Sequence, residues 1–155
     1  MDIYLMQHGV AAAEADDPTR PLTDSGRATV VRVAARARAA GVRIDRCVHS
    51  GKLRAEQTAQ VLAEAVGTQA LEQRDGLAPN DPIAPVADWL RAGTGDESIA
   101  VVGHLPFLDR LASSLVAGDE GGEVISFANG GLTKLVPKAG ADGYSIAWVL
   151  APDIA

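Results

Sequence analysis

Two of the chain's three histidines lie at the ends of stretches that predict buried β-strands. His8 follows the apolar segment 2–6 and is followed by Gly9. His104 comes after the apolar run 99–102. Side chains at the carboxyl ends of strands in open α/β sheets face the crevice where ligands bind. One such histidine is more often an ordinary structural residue, so the interpretation depends on the residues that gather around it.

Two arginines are predicted at the same edge of the sheet. Arg20 lies in the loop after the first strand, and Arg54 begins a predicted helix directly after a second strand over residues 45–49. Helix N-termini attract anions, and a guanidinium adds a fork of donors. Two imidazoles and two guanidiniums in one pocket of a chain with net charge −6 predict a phosphate site. Metal ligation is the competing interpretation, but arginines repel a cation, so no metal and no cofactor are expected.

The elements that must position these side chains alternate along the chain. Helices are expected over about 24–40, 53–66, 82–92 and 107–116, and strands over 2–6, 45–49, 70–73, 99–102, 130–137 and 144–150. Thr23 suits the N-cap of the first helix, and Gly41 and Gly67 suit the ends of the first two. The first helix should hold its arginines on the solvated side: Arg27, Arg32, Arg36 and Arg38. This alternation favours α/β architecture in one domain over residues 1–155, a three-layer α/β/α sandwich with a mostly parallel sheet.

Composition excludes several classes of protein. The chain has 155 residues, of which 47% are hydrophobic, enough for a core without disulfide bonds. Its single cysteine, Cys47, excludes an internal disulfide and indicates a small buried residue. The net charge of −6 disfavours nucleic-acid and anionic-membrane partners. The sequence shows no signal pattern and no apolar run of about 18 residues, so a cytoplasmic location is expected.

Four motifs in order along the chain resemble those of the histidine phosphatase superfamily. They are Leu5-Met6-Gln7-His8-Gly9, Arg20-Pro21-Leu22-Thr23-x-x-Gly26, Ser50-x-x-x-Arg54-Ala55-x-Gln57-Thr58-Ala59 and Gly103-His104-x-Pro106. Together they extend from residue 3 to about residue 110. The small size of the chain and the second and fourth motifs look most like the SixA-type phosphohistidine phosphatase branch. The resemblance implies a phosphoglycerate-mutase-like fold.

The resemblance also implies a metal-independent phosphatase. His8 would be the nucleophile that becomes a transient phosphohistidine, while Arg54 and His104 would hold the equatorial phosphoryl oxygens. The implied substrate is phosphohistidine in a partner protein, such as a histidine-phosphotransfer domain, or a small phosphorylated compound. In addition to the catalytic groups, three residues are expected to contact the substrate: Gln7, Gly9 and Arg20.

The sequence departs from the family pattern at two positions. Gln7 stands where an arginine is usual, and Gly51 stands where proline is commoner. An amide donates hydrogen bonds to phosphate but lacks the charge and the fork of arginine. A weakly active or inactive phosphate-binding module is therefore the alternative function. A mutase is disfavoured because the chain is short and its candidate acids, Glu14, Asp75 and Asp81, resemble loop residues.

Overall fold

A computed structural model describes residues 1–155 and places six strands in one sheet between two layers of helices. The strands are β1 (Asp2–Gln7), β2 (Arg46–His49), β3 (Ala70–Gln73), β4 (Ser98–Gly103), β5 (Leu132–Pro137) and β6 (Tyr144–Leu150). The helices are α1 (Asp24–Ala39), α2 (Leu53–Val66), α3 (Ala84–Ala92) and α4 (Phe107–Ala117). These elements confirm the predicted α/β/α sandwich.

The strand order is β3-β2-β4-β1-β5-β6. The first four strands in this order are parallel, whereas β5 and β6 form an antiparallel hairpin beside β1. The central strands β2, β4 and β1 therefore end at the same edge of the sheet. None of the helices is long and apolar enough to cross a bilayer.

Alternation along β1 divides the core between the two faces of the sheet. Ile3 and Leu5 pack with residues of α3 and α4, whereas Tyr4 and Met6 pack with residues of α1 and α2. Every residue of β4 is buried, as expected of a central strand covered on both faces. Cys47 is fully buried, and burial raises the pKa of its thiol to about 12, which confirms its interpretation as a small core residue.

The helix ends follow the predicted chemistry. Thr23 caps α1 by accepting a hydrogen bond from the Gly26 backbone N–H at 3.0 Å. Gly41 and Gly67, after the first two helices, both have φ of 77°, where glycine avoids a Cβ clash. All four arginines of α1 are exposed, as expected.

The helix α3 begins at Ala84, two residues after its expected start at residue 82. The helix begins at Ala84 because the preceding residues form a separate turn, in which the Asp81 carboxylate accepts a hydrogen bond from the Ala78 N–H at 2.8 Å. Side chains such as aspartate stabilise turns in this way and compete with helix formation. The turn lies between β3 and α3, outside the segments that carry His8, Arg54 and His104.

Candidate active site

The two histidines meet at the carboxyl edge of the sheet. His8 lies one residue beyond β1, and His104 lies one residue beyond β4, which is the parallel neighbour of β1. The His8 backbone N–H donates to the Gly103 carbonyl at 3.0 Å and so continues the strand pairing. The two imidazole centroids are 5.0 Å apart. The predicted convergence of these strand ends is therefore present.

Both ring nitrogens of His8 have a defined partner. Nδ1 is 2.7 Å from the Gly9 carbonyl oxygen, and a carbonyl can only accept, so Nδ1 carries the hydrogen. Nε2 then has a free electron pair and accepts a hydrogen bond from Nε of Arg54 at 3.3 Å. An imidazole in this tautomer is able to attack an electrophile through Nε2.

The surroundings of His8 favour its neutral form. Burial is the main cause that lowers the pKa of His8 from its ordinary value of 6.5, and the charges of Arg54 and Arg20 lower it further. The hydrogen bond to the Gly9 carbonyl opposes these effects by favouring the protonated ring. The net direction keeps His8 unprotonated at neutral pH, as a nucleophile requires.

His104 is held neutral more strongly. Only 2% of its surface is exposed, and burial, followed by the nearby positive groups, lowers its pKa to about 3. Its Nε2 lies 2.6 Å from the Ser50 hydroxyl, whereas its buried Nδ1 has no hydrogen-bond partner. Buried polar groups are nearly always paired, so this nitrogen is an exception in the site.

Arg54 and Arg20 supply positive charge beside the histidines. Arg54 lies in the first turn of α2, where the free N–H groups of the helix also attract anions. Arg20 has φ of 49°, rare for a residue with a side chain, and its Nε donates to the Ala12 carbonyl at 2.9 Å. Burial and the charge of Arg20 lower the pKa of Arg54. The structure thus brings together His8, His104 and Arg54, with Arg20 within electrostatic range.

Gln7 and Gly9 flank the nucleophile in different ways. The side-chain oxygen of Gln7 is buried and has no hydrogen-bond partner, while its backbone carbonyl accepts from the Gly130 N–H at 2.9 Å. A Cβ on Gly9 would lie 2.8 Å from Cγ2 of Val30 and 3.0 Å from Cδ2 of Leu22. Glycine is therefore required at position 9 by the close approach of α1, whereas Gln7 carries an unsatisfied polar atom at the site.

Three further residues fix the backbone around His8. The Thr58 hydroxyl accepts from the Gly9 N–H at 3.0 Å and donates to the Arg54 carbonyl at 2.7 Å, which ties the histidine loop to α2. Gln57 accepts from the Leu22 N–H at 2.8 Å. The side-chain amide of Asn129 donates to the His8 carbonyl at 2.9 Å. The third sequence motif contains Gln57 and Thr58 without indicating their roles, and the sequence gives no signal for Asn129 beyond the turn-forming pair Asn129-Gly130.

The carboxylates proposed as acids make no contact with the histidines. Glu14 and Asp75 are exposed, and the Asp81 carboxylate is occupied by the Ala78 N–H. The site is therefore composed of imidazoles, guanidiniums and polar groups. Such a site is suited to an anion and to nucleophilic attack, and less suited to protonating a strongly basic leaving group.

Replacing Arg54 with glutamine is expected to raise the pKa of His8. The positive charge of the guanidinium disfavours the protonated form of His8. Its removal makes protonation easier, so on lowering the pH His8 becomes protonated at a higher pH than in the wild type. Proton NMR titration of the three histidines measures this directly. Arg38→Gln is the matched control, because Arg38 lies in the last turn of α1 and is not one of the charges that act on His8. It should leave the His8 titration unchanged. A His8 pKa that stays the same or falls in Arg54→Gln would contradict this electrostatic coupling.

Comparisons with known proteins agree with this geometry. The profile of the histidine phosphatase superfamily (branch 1) matches residues 3–79. Phosphohistidine phosphatase SixA of Escherichia coli is 32% identical over 123 residues, which cover 77% of this chain and 76% of that protein. An uncharacterised protein of Picosynechococcus sp. is 34% identical over 126 residues, which cover 78% of this chain and 76% of the relative.

Solved structures show the same fold. A protein histidine phosphatase SixA complexed with tungstate superposes with a TM-score of 0.86 at 28% identity, over 99% of this chain and 98% of that chain. A mycobacterial glucosyl-3-phosphoglycerate phosphatase has a TM-score of 0.70 at 15% identity, over 94% of this chain and 96% of that one, and supports the fold alone. With SixA as a relative in both sequence and structure, this chain belongs to the histidine phosphatase superfamily and resembles its SixA-type members.

Proposed function

We propose that this protein is a phosphatase that transfers a phosphoryl group to His8 and then to water. The observation that carries the proposal is the neutral His8, whose Nε2 lies beside the Arg54 guanidinium and whose ring is 5.0 Å from that of His104. In the first step the Nε2 electron pair forms a bond to phosphorus as the bond to the leaving group breaks. In the second step water attacks phosphorus as the phosphorus–Nε2 bond breaks; the electron pair returns to Nε2 of neutral His8, the proton of the attacking water passes to solvent, and inorganic phosphate leaves.

The surrounding side chains stabilise charge in both steps. Arg54 donates to the attacking nitrogen at 3.3 Å, so a phosphoryl group that binds at Nε2 would take over this hydrogen bond and lie next to the positive charge. His104 would contribute through Nε2, which shares a hydrogen bond with the Ser50 hydroxyl at 2.6 Å. Arg20 adds a second guanidinium. Phosphoryl transfer depends mainly on such positioning and charge stabilisation, and these cations do so without a metal ion.

The substrate proposed is phosphohistidine in a partner protein. The E. coli relative bears the name phosphohistidine phosphatase, and the related structure holds tungstate, a tetrahedral oxyanion like phosphate. No carboxylate contacts His8 or His104, which fits a leaving group that needs little acid catalysis. A protonated imidazole is such a leaving group, whereas a sugar alkoxide requires a proton in the transition state. A small phosphorylated compound is the second substrate class, and a cytoplasmic location is part of the proposal.

Turnover of a substrate panel in the presence of a metal chelator tests this function. We expect release of phosphate from a phosphohistidine peptide, slower release from an aryl phosphate, and little from an alkyl phosphate, in order of leaving-group basicity. Added tungstate should inhibit competitively. Tight binding of the phosphohistidine peptide without turnover would instead support a phosphate-binding module. Activity that appears only with added metal would contradict the proposed mechanism.

A further inference from the structure

A groove of about 370 Å³ opens beside His104. One wall is formed by Leu105 and Pro106, and the other by Ile125 and Phe127. Leu105 is 39% exposed, a large fraction for a leucine next to a buried histidine.

Both walls of this groove are close in the chain to residues of the candidate site. Leu105 is the residue after His104, so the first wall begins at the edge of the sheet where the histidines lie. The second wall ends two residues before Asn129, whose side chain donates to the His8 carbonyl at 2.9 Å. A chain bound at the two histidines would therefore have the groove within a few residues' reach.

The groove also carries two carboxylates that no cation neutralises. Asp109 and Glu123 line it, and neither forms a salt bridge. In contrast, Glu120 of the same loop pairs with Arg110 at 3.3 Å. Burial and the neighbouring charge of Glu123 raise the pKa of Asp109, as expected of like charges held close together. A ligand with a positive charge would relieve this repulsion.

We propose that this groove binds the polypeptide that flanks the phosphohistidine of the substrate protein, through an apolar side chain and a lysine or arginine. The proposal rests on the function proposed above and deepens it by naming what the substrate must present. The apolar side chain would lie against Leu105 and Phe127, and the cation would lie between Asp109 and Glu123.

The dimensions restrict where these residues lie in the substrate. An extended chain advances about 3.3–3.6 Å per residue, so residues one to three positions from the phosphohistidine reach a groove that begins one residue from His104. On a helix, residues three or four positions away lie on the same face as the phosphohistidine. A small phosphorylated compound would not reach the groove, so the groove distinguishes protein substrates from small ones.

Binding of stable phosphohistidine-analogue peptides to the full chain tests the proposal. Three peptides are compared, each with two residues beside the analogue: leucine with lysine, leucine with glutamate, and alanine with lysine. Calorimetry measures the Kd of each peptide. We expect the leucine–lysine peptide to bind about fivefold more tightly than the leucine–glutamate peptide, the upper range for one exposed ion pair. The alanine–lysine peptide should also bind more weakly than the leucine–lysine peptide.

Variants of the carboxylates test the assignment to this groove. The double variant Asp109→Asn/Glu123→Gln should lose the preference for lysine over glutamate, and Glu123→Lys, at an exposed position, should also lose it because the new cation offsets the charge of Asp109. The control Glu64→Gln/Asp142→Asn removes the same charge from exposed sites outside the groove and should retain the preference. Equal binding of all three peptides, an unchanged preference in the groove variants, or dimerisation that blocks peptide binding would overturn the proposal. Peptide discrimination without turnover of any substrate would overturn the phosphatase function but leave the groove as a recognition site.

Discussion

Replacement of His8 with alanine is expected to reduce turnover of a phosphohistidine peptide by about 10⁴-fold or more, the scale seen when a catalytic nucleophile is removed. His8 is the only histidine of the site whose ring nitrogen lies next to a guanidinium donor while retaining an electron pair for attack. His104 has a pKa lowered to about 3 and is surrounded by buried groups. Steady-state release of phosphate measures the effect.

The variant should keep its fold and its anion site. His8 is only half-buried and follows the end of β1, so its removal leaves the hydrophobic core intact. Thermal unfolding and tungstate binding by His8→Ala are the controls, because Arg54, Arg20 and His104 remain. Turnover within tenfold of the wild type, in a variant that is folded and binds tungstate, would remove His8 from the mechanism.

Replacement of Gln7 with arginine is expected to increase kcat/KM by about 10²-fold, comparable with the effect of one donor to a developing charge. The unpartnered amide oxygen of Gln7 is buried beside the nucleophile, and an arginine would replace it with charged donors. The register partner of Gln7 on β4 is Gly103, which has no side chain to oppose a longer residue. The added charge would also lower the pKa of His8, so the gain should extend to lower pH.

The control for this variant is Gln7→Met, which has similar length but no charge. It should leave kcat/KM below that of the arginine variant on both a phosphohistidine peptide and an aryl phosphate. An arginine variant with no gain on either substrate at any pH would show that Gln7 suits a specialised site rather than replacing a lost phosphate clamp.

The positions of His8 and His104 were predictable because each follows a short apolar segment with strong strand signals. Because parallel strands end at one edge of the sheet, the two histidines were then expected to lie close together. Thr23 and Gly67 marked helix ends through local chemistry that depends on few neighbours. Local signals of this kind do not require knowledge of the rest of the fold.

Other parts of the site depend on contacts that no local pattern encodes. Asn129 lies 121 residues from His8 along the chain, in an irregular loop that follows α4. The pairing of Ser50 with His104 requires the register of β2 with β4. The groove beside His104 is formed by Leu105 and by a loop that the sequence shows only as acidic and glycine-rich. These features became visible only once the tertiary structure placed them together.

Rapid-quench labelling tests the central claim most directly. The wild-type protein is mixed with a phosphohistidine peptide labelled at phosphorus, stopped in alkali within the first turnover, and digested for mass spectrometry. A transient phosphoryl group that is stable to base and labile to acid is expected on His8, and no such group is expected in His8→Ala. Turnover without a phosphorylated His8, or with the phosphoryl group on His104 or on an oxygen nucleophile, would contradict it.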